Sequence, residues 1–408
     1  MVGLAALCAS LPLFADSVPR VAPETAGLSS GKLAEVDAFM NRQVENAQIA
    51  GGVVGVIHQG RVATLRAYGK QDLETGWAMQ TDTIFRIYSM TKAITSAAAL
   101  TLVEDKKLDL DAPVAKYLPQ LDGLQVATED GLRAPERAPT VRDLFLHTAG
   151  FTYGSGPEPM REAWSEAQPM AATSTEDFIR RLAQVPLAFD PGTRWVYGVS
   201  IDVLGRVIEV VSGQSLDTYF QQAIFDPLGM EDTGFHLPAD KIERFAVNYR
   251  RSDEGLQVVD PRVGSRYSEP AGFLSGGGGL VGTVPDYLTF LSMIANGGDL
   301  GNARILKPET VALMHTNQLP EEAYPISFGA EIREGVGFGL GFNTRDRITE
   351  IWDPDGHVGE YGWGGAASTH YWVSPEDDLI VVTMEQIMPY QWDTEFGLKK
   401  ILYDAIAD

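Results

Sequence analysis

Ser89 and Lys92 stand three residues apart, in Ser89-Met90-Thr91-Lys92, at the head of a nearly all-apolar, alanine-rich run from Met90 to Val103. On a helix this spacing places hydroxyl and amine on one face, a turn apart, and Ser96 continues that face. A polar stripe on an otherwise buried helix must meet polar partners. A buried amine without a counter-charge tends to lose its proton, and a neutral lysine beside a serine activates the hydroxyl as a nucleophile. The helix N-terminus adds a positive dipole where an oxyanion would form. The chemistry these residues suit is attack by a serine on an acyl carbon.

Two further motifs fit that chemistry. In Pro191-Gly192-Thr193-Arg194-Trp195-Val196-Tyr197-Gly198-Val199-Ser200 a Pro-Gly turn leads through a short extended run to a helix starting near Ser200. Tyr197 falls in the loop just before it, where a side chain can point into a cleft. A phenol, with an ordinary pKa of ~10, needs a nearby cation to act as a base, and Lys92 can supply one. Trp363-Gly364-Gly365 enters an expected strand from Ala366 to Val373. Glycines at a strand edge let a ligand approach the backbone closely, and amides there can join that of Ser89 in binding an oxyanion. Each motif alone has a plain structural alternative: a solvated helix surface, a core tyrosine, an ordinary glycine turn.

The elements that must position these residues follow from periodicity and turns. Leu33, Val36, Phe39, Met40 and Val44 recur at helical spacing over about Ser30 to Asn46, with Ser29 or Ser30 as N-cap. Gly52–His58 and Arg61–Tyr68 flank Gln59-Gly60 and predict a hairpin. Helices are expected over Thr140–His147, Ser200–Val211, Ser215–Ile224, Pro285–Ala295 and Phe396–Ala407, and strands over Gly337–Phe342, Ala366–Val373 and Leu379–Met384. Strands at both ends with helices between them predict one α/β (α+β) domain from residues 22–100 and 330–408, with a mainly helical domain, 101–329, inserted.

Taken together, the motifs resemble those of the serine β-lactamase-like superfamily, in the branch related to class C β-lactamases known as family VIII carboxylesterases. The resemblance rests on Ser89-x-x-Lys92, Tyr197 and Trp363-Gly364-Gly365, about 105 and 165 residues apart, and on Phe85-Arg86-Ile87-Tyr88, Leu144–Phe151, Gly276–Val281 and Gly359–Gly365. It implies a β-lactamase/penicillin-binding-protein-like fold, an antiparallel sheet flanked by helices with an inserted all-helical domain. Ser89 would be the nucleophile and carry the acyl group. Lys92 and Tyr197 would share the proton transfers, with the base left open between them. The amides of Ser89 and Ala366 would form the oxyanion hole, and Trp363, Gly364 and Gly365 would contact substrate. Two departures bear on specificity. Class C β-lactamases carry Tyr-x-Asn where this chain has Tyr197-Gly198-Val199, and Lys-Thr-Gly where it has Trp363-Gly364-Gly365. Polar anchors for a β-lactam are thereby lost, including the cation for its carboxylate. The implied activity is hydrolysis of short neutral esters, with weak β-lactam hydrolysis; the alternatives are a β-lactamase or D-alanyl peptidase, an acyltransferase, and a non-catalytic binding protein.

Other features narrow the field. The chain has 408 residues, 44% of them hydrophobic, enough for a large core. Its 55 acidic and 32 basic residues leave a net charge of −23, which repels phosphate backbones and argues against nucleic acid as a partner. Past residue 15 no apolar stretch is long enough to span a bilayer. Met1–Ala15 resembles the apolar core and cleavage end of a secretory signal without its basic start, which leaves periplasmic, secreted and cytoplasmic locations open; oligomeric state is equally open. The one cysteine, Cys8, allows no internal disulfide and no Cys-rich metal site. None of the six histidines pairs at metal-ligand spacing, so no metal or cofactor is expected, and His147 is expected to hold a loop by hydrogen bonding. Gly27-Leu28-Ser29-Ser30-Gly31 matches a nucleophile elbow but lacks the preceding strand, and a helix cap explains it better. Trp195, Trp363 and Trp372 are candidates for the wall of an acyl pocket.

Overall fold

The computed structural model describes residues 18–406; the signal-like Met1–Ala15 and Cys8 lie outside them. Helix α1 spans Ser30–Glu45, with Leu33, Val36 and Met40 buried. The Ser29 side chain accepts the Lys32 amide at 3.4 Å, so the elbow-like run is a helix cap. Strands β1 (Gly51–His58) and β2 (Arg61–Gly69) form the hairpin. Gln59 and Gly60 both take positive φ (50° and 69°), the conformation that matches a tight two-residue turn to strand twist.

Five strands from the C-terminal part complete one sheet: β3 (Val336–Phe338), β4 (Asn343–Arg345), β5 (Tyr361–Gly365), β6 (Thr369–Ser374) and β7 (Leu379–Glu385). The order is β3-β4-β5-β6-β7-β1-β2, antiparallel throughout. The β1–β7 pairing, Gly52 opposite Glu385 to His58 opposite Leu379, joins the two ends of the chain.

Two strand expectations need correction. Gly337–Phe342 is not one strand: the chain reverses after Phe338, and the Gly339 amide bonds the Phe342 carbonyl at 2.8 Å. Nor does a strand run from Ala366. Trp363-Gly364-Gly365 belongs to β5, and Ala366-Ala367-Ser368 is the turn into β6, with Ser368 at φ 58°. Glycine pairs weakly announce a strand, whereas here Gly364 and Gly365 pair in register with His370 and Thr369.

Both faces of the sheet are covered, which explains why every residue of β1 is buried. Val54 and Val56 pack with Leu33, Met40, Leu398 and Leu402 against α1 and the last helix. Val53 and Ile57 join the larger core on the other face. There Gly55 leaves room for Val284 and Leu288, which a Cβ would strike. Each such buried Val, Leu or Ile contributes about 1.5–3 kcal/mol.

The remaining helices that matter to the site are α2 (Thr91–Glu104), α3 (Ser200–Ser212), α4 (Val284–Ala295) and α5 (Asp393–Tyr403). Helices α2 and α3 pack together, α4 lies on β1 and β7, and α5 lies beside α1. The segment 101–329 also holds three hairpins, Val126–Thr128 with Gly131–Arg133, Asn248–Ser252 with Gly255–Asp260 and Asp299–Leu300 with Ala303–Arg304. Among the described residues no helix is long and apolar enough to cross a membrane.

Candidate active site

Ser89 occupies the helical turn Tyr88–Met90, between the short strand Phe85–Arg86 and α2. The approach is anchored by Arg86, wholly buried, whose guanidinium binds Asp260 at 2.6 Å and the Ala246 carbonyl at 2.6 Å and lies 3.9 Å from the centre of the Phe245 ring. Tyr88 then takes φ 40°, a left-handed conformation that bulky side chains rarely adopt and that costs of order 1–3 kcal/mol. The sharp turn leaves Ser89 lining open space rather than the core.

Lys92, one turn on, is 4% exposed. Its ammonium donates to Ser89 Oγ (3.2 Å), the Gly277 carbonyl (2.5 Å) and Tyr153 Oη (3.5 Å), and lies 4.6 Å from the Tyr197 ring centre. Burial favours loss of the lysine proton, but interactions with Tyr153, Tyr197 and Asp202 outweigh it and raise the pKa above the ordinary lysine value. The net shift favours the protonated ammonium, against the neutral amine expected from burial alone. The other polar residues of α2 are mostly matched. Thr95 donates to the Gly276 carbonyl at 2.7 Å and Thr91 accepts the Leu280 amide at 3.2 Å. Ser96 Oγ, on the face expected to meet polar partners, is buried with none among the described residues.

Tyr197 is held by its loop. The Val196 amide bonds the His147 carbonyl at 3.1 Å, and a Cβ on Gly198 would overlap the Phe151 carbonyl. The ring sits among His147, Trp363 and Phe328 at 4.9, 5.4 and 5.4 Å between centres, and Trp363 Nε1 donates to its hydroxyl at 3.3 Å. His147 does not hold the loop through its side chain as expected: neither ring nitrogen has a partner among the described residues. Burial first, and the charge of Lys92 second, push its pKa well below the usual histidine value, so it packs behind Tyr197 as a neutral ring.

The β5 strand closes the site. A Cβ on Gly365 would overlap the Ile87 carbonyl, so glycine lets this strand press on the turn that carries Ser89. Trp363, Gly364 and Ala366 line the space in front of Ser89, whereas Gly365 lies beneath it. Trp195 and Trp372 are packing residues, buried at 4% and 2% exposure. Ser89, Tyr197 and Ala366 together border two open lobes, of ≈ 320 and ≈ 630 Å³. The smaller runs past Trp363 and Phe328, the larger past Tyr153, Phe273 and Gly278.

Three residues of this neighbourhood were not singled out from sequence. Tyr153 reaches Lys92 from the loop after His147-Thr148-Ala149-Gly150. Asp202, wholly buried on α3, accepts from Ser275 Oγ (2.5 Å) and the Gly277 amide (3.0 Å). It fixes the carbonyl that receives Lys92, and burial raises its pKa against the pull of Lys92. Its position, a carboxylate five residues after Tyr197 in an apolar helix, was a legible signal. Arg333, on the wall of the smaller lobe, had none.

Residues 36–402 match the family model described as Beta-lactamase. The chain belongs to the beta-lactamase family. It is 34% identical over 373 residues to the esterase EstB of Burkholderia gladioli, covering 86% of this chain and 89% of that protein. Among solved structures it is similar to EstCE1, described as a hydrolase with promiscuous acyltransferase activity (TM-score 0.79, 26% identity, 91% of this chain and 99% of that one). It is also similar to the simvastatin synthase LovD of Aspergillus terreus (TM-score 0.77, 25% identity, 93% and 98%). The antiparallel sheet with flanking helices is thus the β-lactamase/penicillin-binding-protein-like fold.

Proposed function

We propose that this protein is a carboxylesterase that cleaves short-chain esters through an acyl-enzyme on Ser89. The observation that carries the reading is the Ser89 hydroxyl, 3.2 Å from the Lys92 ammonium, at the junction of two lobes that it shares with Tyr197 and Ala366. Kinship with esterase EstB and with the hydrolase EstCE1 supports the same substrate class.

In the proposed reaction Tyr197 acts in its phenolate form, beside the Lys92 ammonium, and takes the Ser89 proton as Oγ bonds to the ester carbonyl carbon. Lys92, already protonated, hydrogen-bonds the serine oxygen and stabilises negative charge on the phenol. The oxyanion takes the amides of Ser89 and Ala366. Breaking the carbon–alkoxide bond returns the proton to the leaving alcohol. Water then attacks the Ser89 ester by the same steps in reverse order, releasing the acid. One lobe takes the acyl chain and the other the alcohol, and Trp363 and Gly364 form part of the wall. Acyl transfer is a second reading: the ≈ 630 Å³ lobe beside Ser89 has room for an acceptor alcohol in place of water.

The test pairs turnover with labelling. Para-nitrophenyl butyrate should be hydrolysed far faster than a chromogenic cephalosporin, and a serine-directed phosphonate should modify Ser89 on peptide mapping. Ser89→Ala should lose both. An active, labelled Ser89→Ala protein overturns the assignment, and release of butyrate ester in the presence of a primary alcohol measures the transfer reading.

A further inference from the structure

The smaller lobe contains a cation that no step above uses. Arg333 borders it together with Ser89, Tyr197 and Trp363. Its side chain is only 9% exposed, and its guanidinium sits in an aromatic cage. The ring centres of Phe328, Trp392, Trp352 and Trp363 lie 4.2, 4.6, 4.8 and 5.7 Å away. Such a cage fixes the plane of the group and shields it from water.

A guanidinium carries five donors. Among the described residues the Arg333 side chain makes one hydrogen bond, from Nε to Glu331 at 3.1 Å, and the edge formed by its two terminal nitrogens has no protein acceptor. Glu331 is a loose partner, with its side chain 41% exposed, and it engages one donor only. The other carboxylate on the lobe, Glu395, is committed elsewhere: it pairs with His370 Nδ1 (3.3 Å) and accepts from Tyr390 (3.0 Å). A second donor faces the same lobe. Asn343 also borders it: its amide oxygen accepts the Gly362 amide at 2.9 Å, and among the described residues its NH₂ group makes no hydrogen bond.

From this geometry we infer that Arg333, with Asn343, forms a carboxylate subsite: the esters taken by this enzyme carry a carboxylate on the half that fills the smaller lobe. The partners are matched in shape, because the free edge of a guanidinium binds a carboxylate through two parallel hydrogen bonds. The net charge of −23 does not oppose this at contact distance, since charges beyond about 8 Å are screened at physiological salt. Esters of dicarboxylic acids and of acidic alcohols are the substrate class. This inference rests on Ser89 being the nucleophile of an esterase.

The test compares kcat/KM for three esters: para-nitrophenyl butyrate, the mono-para-nitrophenyl ester of adipic acid, and butyrate ester of a carboxylated nitrophenol. The wild-type enzyme should prefer one of the two charged esters to the neutral one, which also identifies the half that enters the lobe. Arg333→Gln should reduce the charged-to-neutral ratio about 10- to 100-fold, mainly through KM. Arg333→Lys should recover part of that ratio, and Glu331→Gln, which removes the competing carboxylate, should raise it. Equal losses on charged and neutral esters would mean that Arg333 only props the cage, and would overturn the subsite, as would a wild-type enzyme that rejects both charged esters. Neutral-ester turnover with a labelled Ser89 keeps either failure separate from failure of the esterase reading.

Discussion

Two buried lysines, Lys92 and Lys399, share a residue type and near-complete burial but not a setting. Lys399, on α5, is clamped by carboxylates, with Asp353 at 2.5 Å and Glu360 at 2.6 Å. Asp353 also binds Arg345 at 2.5 Å, and Tyr403 donates to Glu360. Lys92 touches a hydroxyl, a carbonyl and a phenol, and its nearest carboxylate, Asp202, acts through the Gly277 peptide. In both cases burial lowers the pKa and the surroundings more than restore it, through carboxylates at Lys399 and through phenols and the more distant Asp202 at Lys92. The contrast separates an ammonium locked between carboxylates from one that borders the candidate nucleophile. An ammonium saturated by two carboxylates has no direction left to offer, whereas one held by neutral oxygens keeps a hydrogen bond aimed at the serine.

The comparison can be broken most decisively at Lys92. Lys92→Met should lower kcat/KM by about 10³–10⁴, as Ser89→Ala should, while the protein stays folded by circular dichroism and melts within a few degrees of wild type. Lys399→Met should do the reverse, costing about 3–5 kcal/mol in denaturant unfolding by leaving Asp353 and Glu360 underpaired, with kcat per folded molecule retained. A Lys92→Met protein that unfolds like Lys399→Met would erase the distinction.

A smaller effect concerns His370, behind β5. Burial would lower its pKa, but the carboxylates of Glu385 and Glu395, 3.7 and 3.3 Å from its ring nitrogens, raise it to about 9. The folded value exceeds the unfolded one, near 6.5, so this contribution is complete below about pH 6.5 and is lost as pH rises through 9. It amounts to ~3 kcal/mol at most. Melting temperature should fall from pH 6.5 to 9, and His370→Gln should flatten that slope; an unchanged slope in the variant refutes the assignment. The smallest effect is expected at Asp202. Asp202→Asn should reduce kcat/KM about tenfold by loosening the Gly277 segment that receives Lys92. A variant with wild-type kcat/KM would make Asp202 a packing residue only.

The paired elements were legible where local pattern sufficed. The β1–β2 hairpin was marked by Gln59-Gly60, α1 by its apolar period and Ser29 cap, and α2 by its alanine-rich run. Less was legible where glycines dominate. Gly337–Phe342 and Gly364-Gly365-Ala366 carry few side chains to show a period, so turn and strand were exchanged there. His147 was misread because a histidine in a loop suggests hydrogen bonds, whereas aromatic packing from Trp195, Tyr197 and Phe338 leaves its nitrogens without partners.

By itself the sequence determined the reactive types and their local geometry, a hydroxyl and an amine one turn apart on a buried helix, because i to i+3 spacing is fixed by the backbone. Tertiary structure alone decided the partners of that amine and the shape of the space before the serine. The ammonium meets the Gly277 carbonyl 185 residues away and Tyr153 61 residues away, and Arg333 enters its cage from a segment with no motif. Coulomb and hydrogen-bond energies act over a few ångströms, so they are set by which distant segments the fold brings into contact.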